Sequence, residues 1–192
     1  MAWLELLKMN EANTEEAAVE IEKDIFRLEV ITERFSKIGS QPKLQQNDLV
    51  SIINDSIEYL QPRSPRKVKY EMELPGIGEV FIPVNGALFS WVIENLCKNA
   101  IDAMEGEGTI TIRLKEDSKT VSIDIIDTGK GIAITEQKAI FNPGYTSKIR
   151  GWGLGLSLSK RIIRDYHRGK IFVKNSAPGK GCTFRIIMRK EE

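Results

Sequence analysis

The sequence predicts an α+β fold: a two-layer α/β sandwich with a mixed sheet, preceded by a partial helical hairpin. Three observations predict it. Neighbouring strand-like runs with helices between them argue for a two-layer sandwich rather than a doubly wound sheet. A stripe of apolar residues near the start recurs at alternating three- and four-residue steps and wants a partner helix. The 192 residues, 41% hydrophobic and 29% charged, suffice for one substantial core and an appendage.

The stripe is Ala18, Ile21, Ile25, Leu28, Thr32 and Phe35, which predicts one long helix from Thr14 to Ile38. Glu15 and Glu16 suit the positive end of its dipole. Met1 to Lys8 reads as the tail of another helix, joined through the polar stretch Met9 to Asn13. Gly39, Ser40, Gln41 and Pro42 then break the pattern, which places a boundary between residues 1–40 and 41–192. Beyond it, Asp48 is a cap for a helix carrying Leu49, Ile52, Ile53 and Leu60, and Pro62 and Pro65 enforce a turn. A strand follows at Val68 to Met72 and another around Val80 to Ile82. Asn85 to Met104 has the apolar density of a buried helix. Thr109 to Lys115 and Val121 to Ile126 form a hairpin. A helix from Leu154 to Tyr166 precedes the closing strands Lys170 to Lys174 and Cys182 to Met188.

Lys and Arg total 28 against 27 acids, a net charge of +1. No global charge signature recommends nucleic acid or an anionic membrane as partner. The balance is uneven: residues 1–40 carry a net −4 and the rest +5, as two segments with different tasks would. Cys97 and Cys182 are far apart and outside any paired-ligand spacing, so they read as small buried residues in a reducing compartment. No apolar run approaches the ~20 residues of a membrane-spanning helix, and the start lacks the basic flank of a secretory signal. The expected location is cytoplasmic, including the cytoplasmic part of a membrane-bound sensor.

Three clusters carry chemistry: Glu94-Asn95-Leu96-Cys97-Lys98-Asn99-Ala100-Ile101-Asp102-Ala103, Asp127-Thr128-Gly129-Lys130-Gly131-Ile132, and Gly151-Trp152-Gly153-Leu154-Gly155-Leu156. Asn95 and Asn99 are four apart on one helix, so both amide oxygens can face one point, as two ligands of a hard Mg²⁺ ion do. Asn in an apolar helix also serves to bond neighbouring backbone. Asp127 ends a strand and precedes two glycines, an arrangement that lets backbone approach a flat ligand while the carboxylate accepts from an exocyclic amine such as adenine's. The same composition also makes ordinary strand-ending turns. Gly151, Gly153 and Gly155 precede a helix, whose first N–H groups are suited to phosphate oxygens, although a Gly-rich loop alone is a weak signal. Dinucleotide and P-loop fingerprints fail on spacing, and the His-Arg-Asp and Asp-Phe-Gly elements of Ser/Thr/Tyr kinases are absent.

The order of these clusters, with Phe141-Asn142-Pro143-Gly144-Tyr145-Thr146-Ser147-Lys148 between the last two, resembles the N, G1, F and G2 boxes of histidine kinase catalytic domains. Gly179-Lys180-Gly181-Cys182-Thr183-Phe184 looks like the closing glycine box. The resemblance covers about residues 41–192, and residues 1–40 are similar to the family's dimerization helices. It implies the Bergerat ATP-binding fold, Mg²⁺ and ATP as cofactors, a response regulator receiver domain as partner and a homodimer in the full-length parent. It places Asn95 and Asn99 toward Mg²⁺ and phosphate, Asp127 toward the adenine amine and Thr183 near the same edge. It makes Gly129, Gly131, Gly153 and Gly155 positions that ATP approaches. Asp102, Ile132, Thr146, Ser147, Lys148, Gly151, Leu154 and Leu156 complete the implied nucleotide-binding set. Lys148 and Arg150, in the segment corresponding to the family's ATP lid, are the candidates for stabilising charge on the γ-phosphate, and Glu94 for proton handling. Trp152 is expected to pack the lid segment against the domain.

The family's phosphoacceptor is a histidine in the first dimerization helix, and residues 1–40 contain none. Trp3-Leu4-Glu5-Leu6-Leu7 looks like the part of that helix just beyond the missing site, so the sequence reads as a fragment. The one histidine, His167, stands where a helix meets a strand, and a structural role is expected for it. The implied activity is transfer of the ATP γ-phosphoryl group to a histidine. The alternatives are an ATP-dependent conformational module or a protein serine kinase of the same superfamily.

Overall fold

The computed structural model describes residues 42–74, 78–146 and 152–190. The hairpin expected within residues 1–40 lies outside them. A compact unit begins at Lys43. In chain order it contains β1 (Gln45–Asp48), α1 (Leu49–Leu60), β2 (Lys67–Glu73), β3 (Phe81–Val84), α2 (Gly86–Ala103), β4 (Glu107–Glu116), β5 (Thr120–Asp127), α3 (Gly155–Arg161), β6 (Lys170–Ser176) and β7 (Cys182–Arg189).

Both larger helices start as their sequences direct. Asp48 accepts from the Val50 and Ser51 N–H groups and caps α1, and Asn85 accepts from the Leu88 N–H and caps α2. Asp48 Oδ1 also accepts from the Val80 N–H at 2.7 Å, so one carboxylate ties the start of α1 to the entry of β3. This contact helps to explain β1, a polar four-residue strand that pairs antiparallel with β3 in a separate two-stranded sheet. Nothing in the alternation of Gln45–Asp48 announces a strand.

The main sheet has the order β2-β4-β5-β7-β6 among the described residues. β2 and β4 are parallel and the other pairs antiparallel, the mixed sheet expected from the sequence. On one face, Ile110, Ile112, Leu114, Val121, Ile123, Ile125, Phe184, Ile186 and Met188 are buried. This face meets α2, which contributes Leu88, Phe89, Val92, Ile93, Leu96, Cys97 and Ala100, and α1 packs beside it through Leu49, Ile52, Ile53, Ile57 and Leu60. Each large aliphatic or aromatic side chain among these contributes about 1.5–3 kcal/mol on burial.

The other face carries charge. Asp124, on β5, is 1% exposed there. Arg185 donates to both its oxygens, at 2.5 and 2.6 Å, and Lys174 reaches it at 3.0 Å. Lys174 lies at an irregularity in the β6–β7 register between Val173 and Asn175, the kind of bulge that re-aims a side chain. Burial pushes the Asp124 carboxyl up, but the hydrogen bonds from Arg185 and Lys174 outweigh it and leave the group below its ordinary range.

The helix expected over Leu154 to Tyr166 is regular only to Arg161. Ile162–Tyr166 continues as a π turn, which His167 ends. The His167 ring is 5% exposed. Its Nδ1 donates to the Ile162 carbonyl at 2.9 Å, and its Nε2 accepts from the Asn85 N–H at 3.0 Å. The ring is therefore neutral, and burial holds its pKa below the ordinary value. It links the end of one helical segment to the cap of α2, the structural role expected.

Candidate functional site

The first cluster, on α2, meets the other two: the Asp127–Ile132 loop, closed by the β6–β7 turn, at Ala103, and the described part of the glycine cluster at Asn95. Asp127 is 4% exposed. Its Oδ1 accepts from the Gly129 N–H at 2.8 Å and the Cys182 N–H at 3.2 Å. Oδ2 meets no donor among the described residues, and no cation neutralises the group there. Burial pushes its pKa up, and the two backbone hydrogen bonds only partly offset this. A buried carboxylate with one oxygen fixed and one unmatched retains capacity for a further donor.

The loop from Asp127 to Ile132 is clamped on three sides. The Lys130 N–H donates to the Ala103 carbonyl at the end of α2 at 2.9 Å. The Gly179 and Gly181 N–H groups donate to the Lys130 and Gly129 carbonyls, at 2.7 and 2.9 Å. The Ile132 N–H donates to Ser176 Oγ at 2.8 Å. Glycine is demanded most strongly at two positions. Gly131 has φ +71°, and a Cβ there would lie 2.0 Å from the Ala177 carbonyl oxygen; Gly181 has φ +70°, and its Cβ would lie 1.9 Å from the Asp127 carbonyl oxygen. No side chain fits either contact. These glycines let the chain approach itself around Asp127.

Asn95 and Asn99 lie one turn apart on α2, both half-buried. Asn95 Nδ2 donates to Ser159 Oγ at 2.9 Å. A Cβ on Gly155 would stand 2.5 Å from Asn95 Oδ1, so the first cluster and the second glycine box touch. Gly153, at φ +63°, accepts at its carbonyl from the Gly144 N–H at 3.1 Å. Leu154 is the cap position of α3, Leu156 and Ile132 are half-buried, and Asp102 and Thr146 are exposed. Glu94 pairs with Lys98 at 3.4 Å, one turn along α2. Ser147, Lys148, Arg150 and Gly151 lie outside the described residues.

Two expectations are corrected. Thr183 stands opposite Ile126 in the β5–β7 register, and Cys182 stands opposite Asp127. Side chains alternate along a strand, so Thr183 is on the charged face, away from Asp127. The residue that meets the carboxylate is Cys182, through its N–H. Its thiol is pushed up to about 12 by burial, with Asp127 adding to the effect; it is a packed, protonated group. Trp152 is 72% exposed and does not pack against the domain among the described residues. Cys182 was missed as a site residue because it read as a small buried residue, its position one after Gly181 being the available signal; Ser159 lies within the helix predicted over Leu154 to Tyr166, where nothing singles it out.

With this geometry in place, comparison with known proteins assigns the class. The family described as histidine kinase-, DNA gyrase B-, and HSP90-like ATPase matches residues 86–192, and the chain belongs to it. Within that family it is similar to sensor histidine kinases. Sensor histidine kinase ZraS of Escherichia coli (strain K12) is 35% identical over 148 residues, covering 74% of this chain and 30% of the relative. Signal transduction histidine-protein kinase AtoS of the same organism is 36% identical over 148 residues, covering 75% and 24%. The chain thus spans less than a third of the length of these two relatives. The catalytic domain of histidine kinase ThkA superposes with a TM-score of 0.71 at 25% identity, covering 78% of this chain and 97% of that one. A crystal structure of ThkA in complex with the response regulator protein TrrA shares the fold, with a TM-score of 0.72 at 22% identity over 93% of this chain and 52% of that one. No helix among the described residues is long and apolar enough to cross a membrane.

Proposed function

We propose that this chain binds Mg-ATP and is the catalytic part of a sensor histidine kinase, which transfers the γ-phosphoryl group to a histidine for relay to a response regulator. The observation that carries this reading is Asp127: a buried carboxylate with one oxygen held by two backbone N–H groups and the other open to an exocyclic amine. In this reading Asp127 Oδ2 accepts from the adenine amine, which distinguishes adenine from a base bearing a carbonyl at that position.

A metal fits the donor set on chemical grounds. Among the described residues no group of three or more His, Cys, Asp or Glu is placed to hold one. A cation here would therefore arrive with the charge of the phosphates, and Asn95 and Asn99 supply neutral oxygens suited to a hard ion. Mg²⁺, when bound, neutralises charge on the phosphates and orients them. The chain's own part is positioning: the clamped loop fixes the base, and α2 with the start of α3 frames the phosphates. Lys148 and Arg150 are proposed to stabilise charge on the γ-phosphate, and Glu94 to assist the proton. Residues 1–40 are proposed as part of a dimerization domain and the full-length parent as a homodimer, with a response regulator receiver domain as partner; ThkA, of similar fold, forms a complex with the response regulator protein TrrA.

The test is isothermal titration with a non-hydrolysable ATP analogue, with and without Mg²⁺. Saturable binding that Mg²⁺ tightens is expected, and absence of binding overturns the reading. Transfer from labelled ATP to a fragment bearing a dimerization helix with its histidine should give acid-labile label. Acid-stable label on serine would instead make the chain a serine kinase of the superfamily.

A further inference from the structure

Ser159 is 0% exposed on α3, and its hydroxyl joins two groups. Oγ donates to the Gly155 carbonyl at 3.0 Å, one turn back, and accepts from Asn95 Nδ2 at 2.9 Å. A hydroxyl has a single proton. With that proton committed to Gly155, only lone pairs face Asn95, so the amide must turn its NH₂ toward Ser159. Its oxygen is then fixed on the side of Gly155, packed so close that only a glycine there admits it. Oδ1 meets no donor among the described residues. A freely rotating amide would present NH₂ or oxygen to a ligand at this point; this one is polarised in advance.

We propose that Ser159 is a positioning residue that locks the Asn95 amide with its oxygen available to the metal of bound Mg-ATP. The inference rests on the metal role proposed above for Asn95. Without the Ser159 hydroxyl, the Asn95 NH₂ loses its acceptor, the amide rotates, and its NH₂ turns toward the cation part of the time. Groups that orient a metal ligand typically change metal affinity by about 10–100-fold when removed.

The experiment is titration of the whole chain with a non-hydrolysable ATP analogue, with and without Mg²⁺, for the parent, Ser159→Ala, Asn95→Ala and the double variant. Ser159→Ala is expected to leave Mg²⁺-free affinity within about twofold of the parent and to cut the Mg²⁺ enhancement about tenfold. In the Asn95→Ala background Ser159→Ala should cost nothing further, because its effect passes through that amide. Ser159→Cys, nearly isosteric but a weaker hydrogen-bonding group, should shift the enhancement in the same direction and serves if the alanine variant unfolds. Full Mg²⁺ enhancement in Ser159→Ala, alongside its loss in Asn95→Ala, would overturn the positioning role and leave the metal role standing. Full enhancement in both would remove the metal role of Asn95 and the inference with it.

Discussion

Asp124 and Asp127 lie three residues apart on β5 and are both almost wholly buried, yet their surroundings are opposite. Asp124 faces the charged side of the sheet, where Arg185 and Lys174 hold it ionised. Asp127 faces the helix side, where two backbone N–H groups take one oxygen and no described cation approaches the other. The first carboxylate is matched within the chain and works for the sheet. The second is left incomplete, and burial without compensation raises its pKa. Two copies of one residue type are thus divided between a matched role in the sheet and the binding role proposed for Asp127 by the face onto which an odd spacing projects them.

The largest expected effect comes from breaking the matched side. Asp124→Ala strands two cations, which for a buried pair costs about 3–5 kcal/mol. Since Arg185 and Lys174 are partly exposed and can turn to water, about 3 kcal/mol is expected in a denaturant titration, with ATP-analogue affinity unchanged. A parallel fall in affinity would show that the two faces are not independent. Next is Asp127→Asn, which replaces a charged acceptor with an amide. Affinity for the analogue should fall by about 1.5–3 kcal/mol, or roughly 10- to 150-fold, with a far smaller change in stability. Equal affinities for ATP and GTP in the unmodified chain would count against the adenine role.

Acid sharpens the contrast further. Because the folded-state pKa of Asp124 lies below its ordinary value of 3.8, its stabilisation is full above that value and is lost as pH falls through the folded pKa. The stability gap between the parent and Asp124→Ala should accordingly close below about pH 4. The smallest effect belongs to His167. Its folded pKa is depressed from 6.5, so stability is full above that value and declines as pH falls toward the folded pKa. His167→Gln should flatten this slope between about pH 7 and 5, as read by thermal melts.

The elements that bury a periodic face were legible in the sequence. Leu49, Ile52, Ile53 and Leu60 identified α1 and Asp48 its cap, and the runs Thr109 to Lys115, Val121 to Ile126 and Cys182 to Met188 fell within β4, β5 and β7. β1 was not legible, because its four polar residues pair through contacts with a strand more than thirty residues away. Asp127, Asn95 and the glycine boxes stood out because their residue types conflict with an apolar context. Thr183 was misplaced because register across strands decides which of two adjacent residues faces the site, and register is a tertiary property. Ser159 was invisible for a similar reason: a serine in an amphipathic helix acquires meaning only when Asn95, 64 residues earlier, is brought to 2.9 Å.

The parallel pairing of β2 with β4 has a kinetic consequence. The other adjacent pairs of the main sheet, β4 with β5, β5 with β7 and β7 with β6, are antiparallel. β2 can join β4 only after the chain has passed through β3 and α2, a crossover whose loop-closure entropy is lost before any pairing is gained. The helix bearing Asn95 and Asn99 is the body of that crossover. The part of the proposed site that α2 carries thus lies within a crossover whose strand pairing is non-local, the slow class of folding event. A ligand that binds there stabilises the completed sheet and not its hairpins, so occupancy should slow global unfolding.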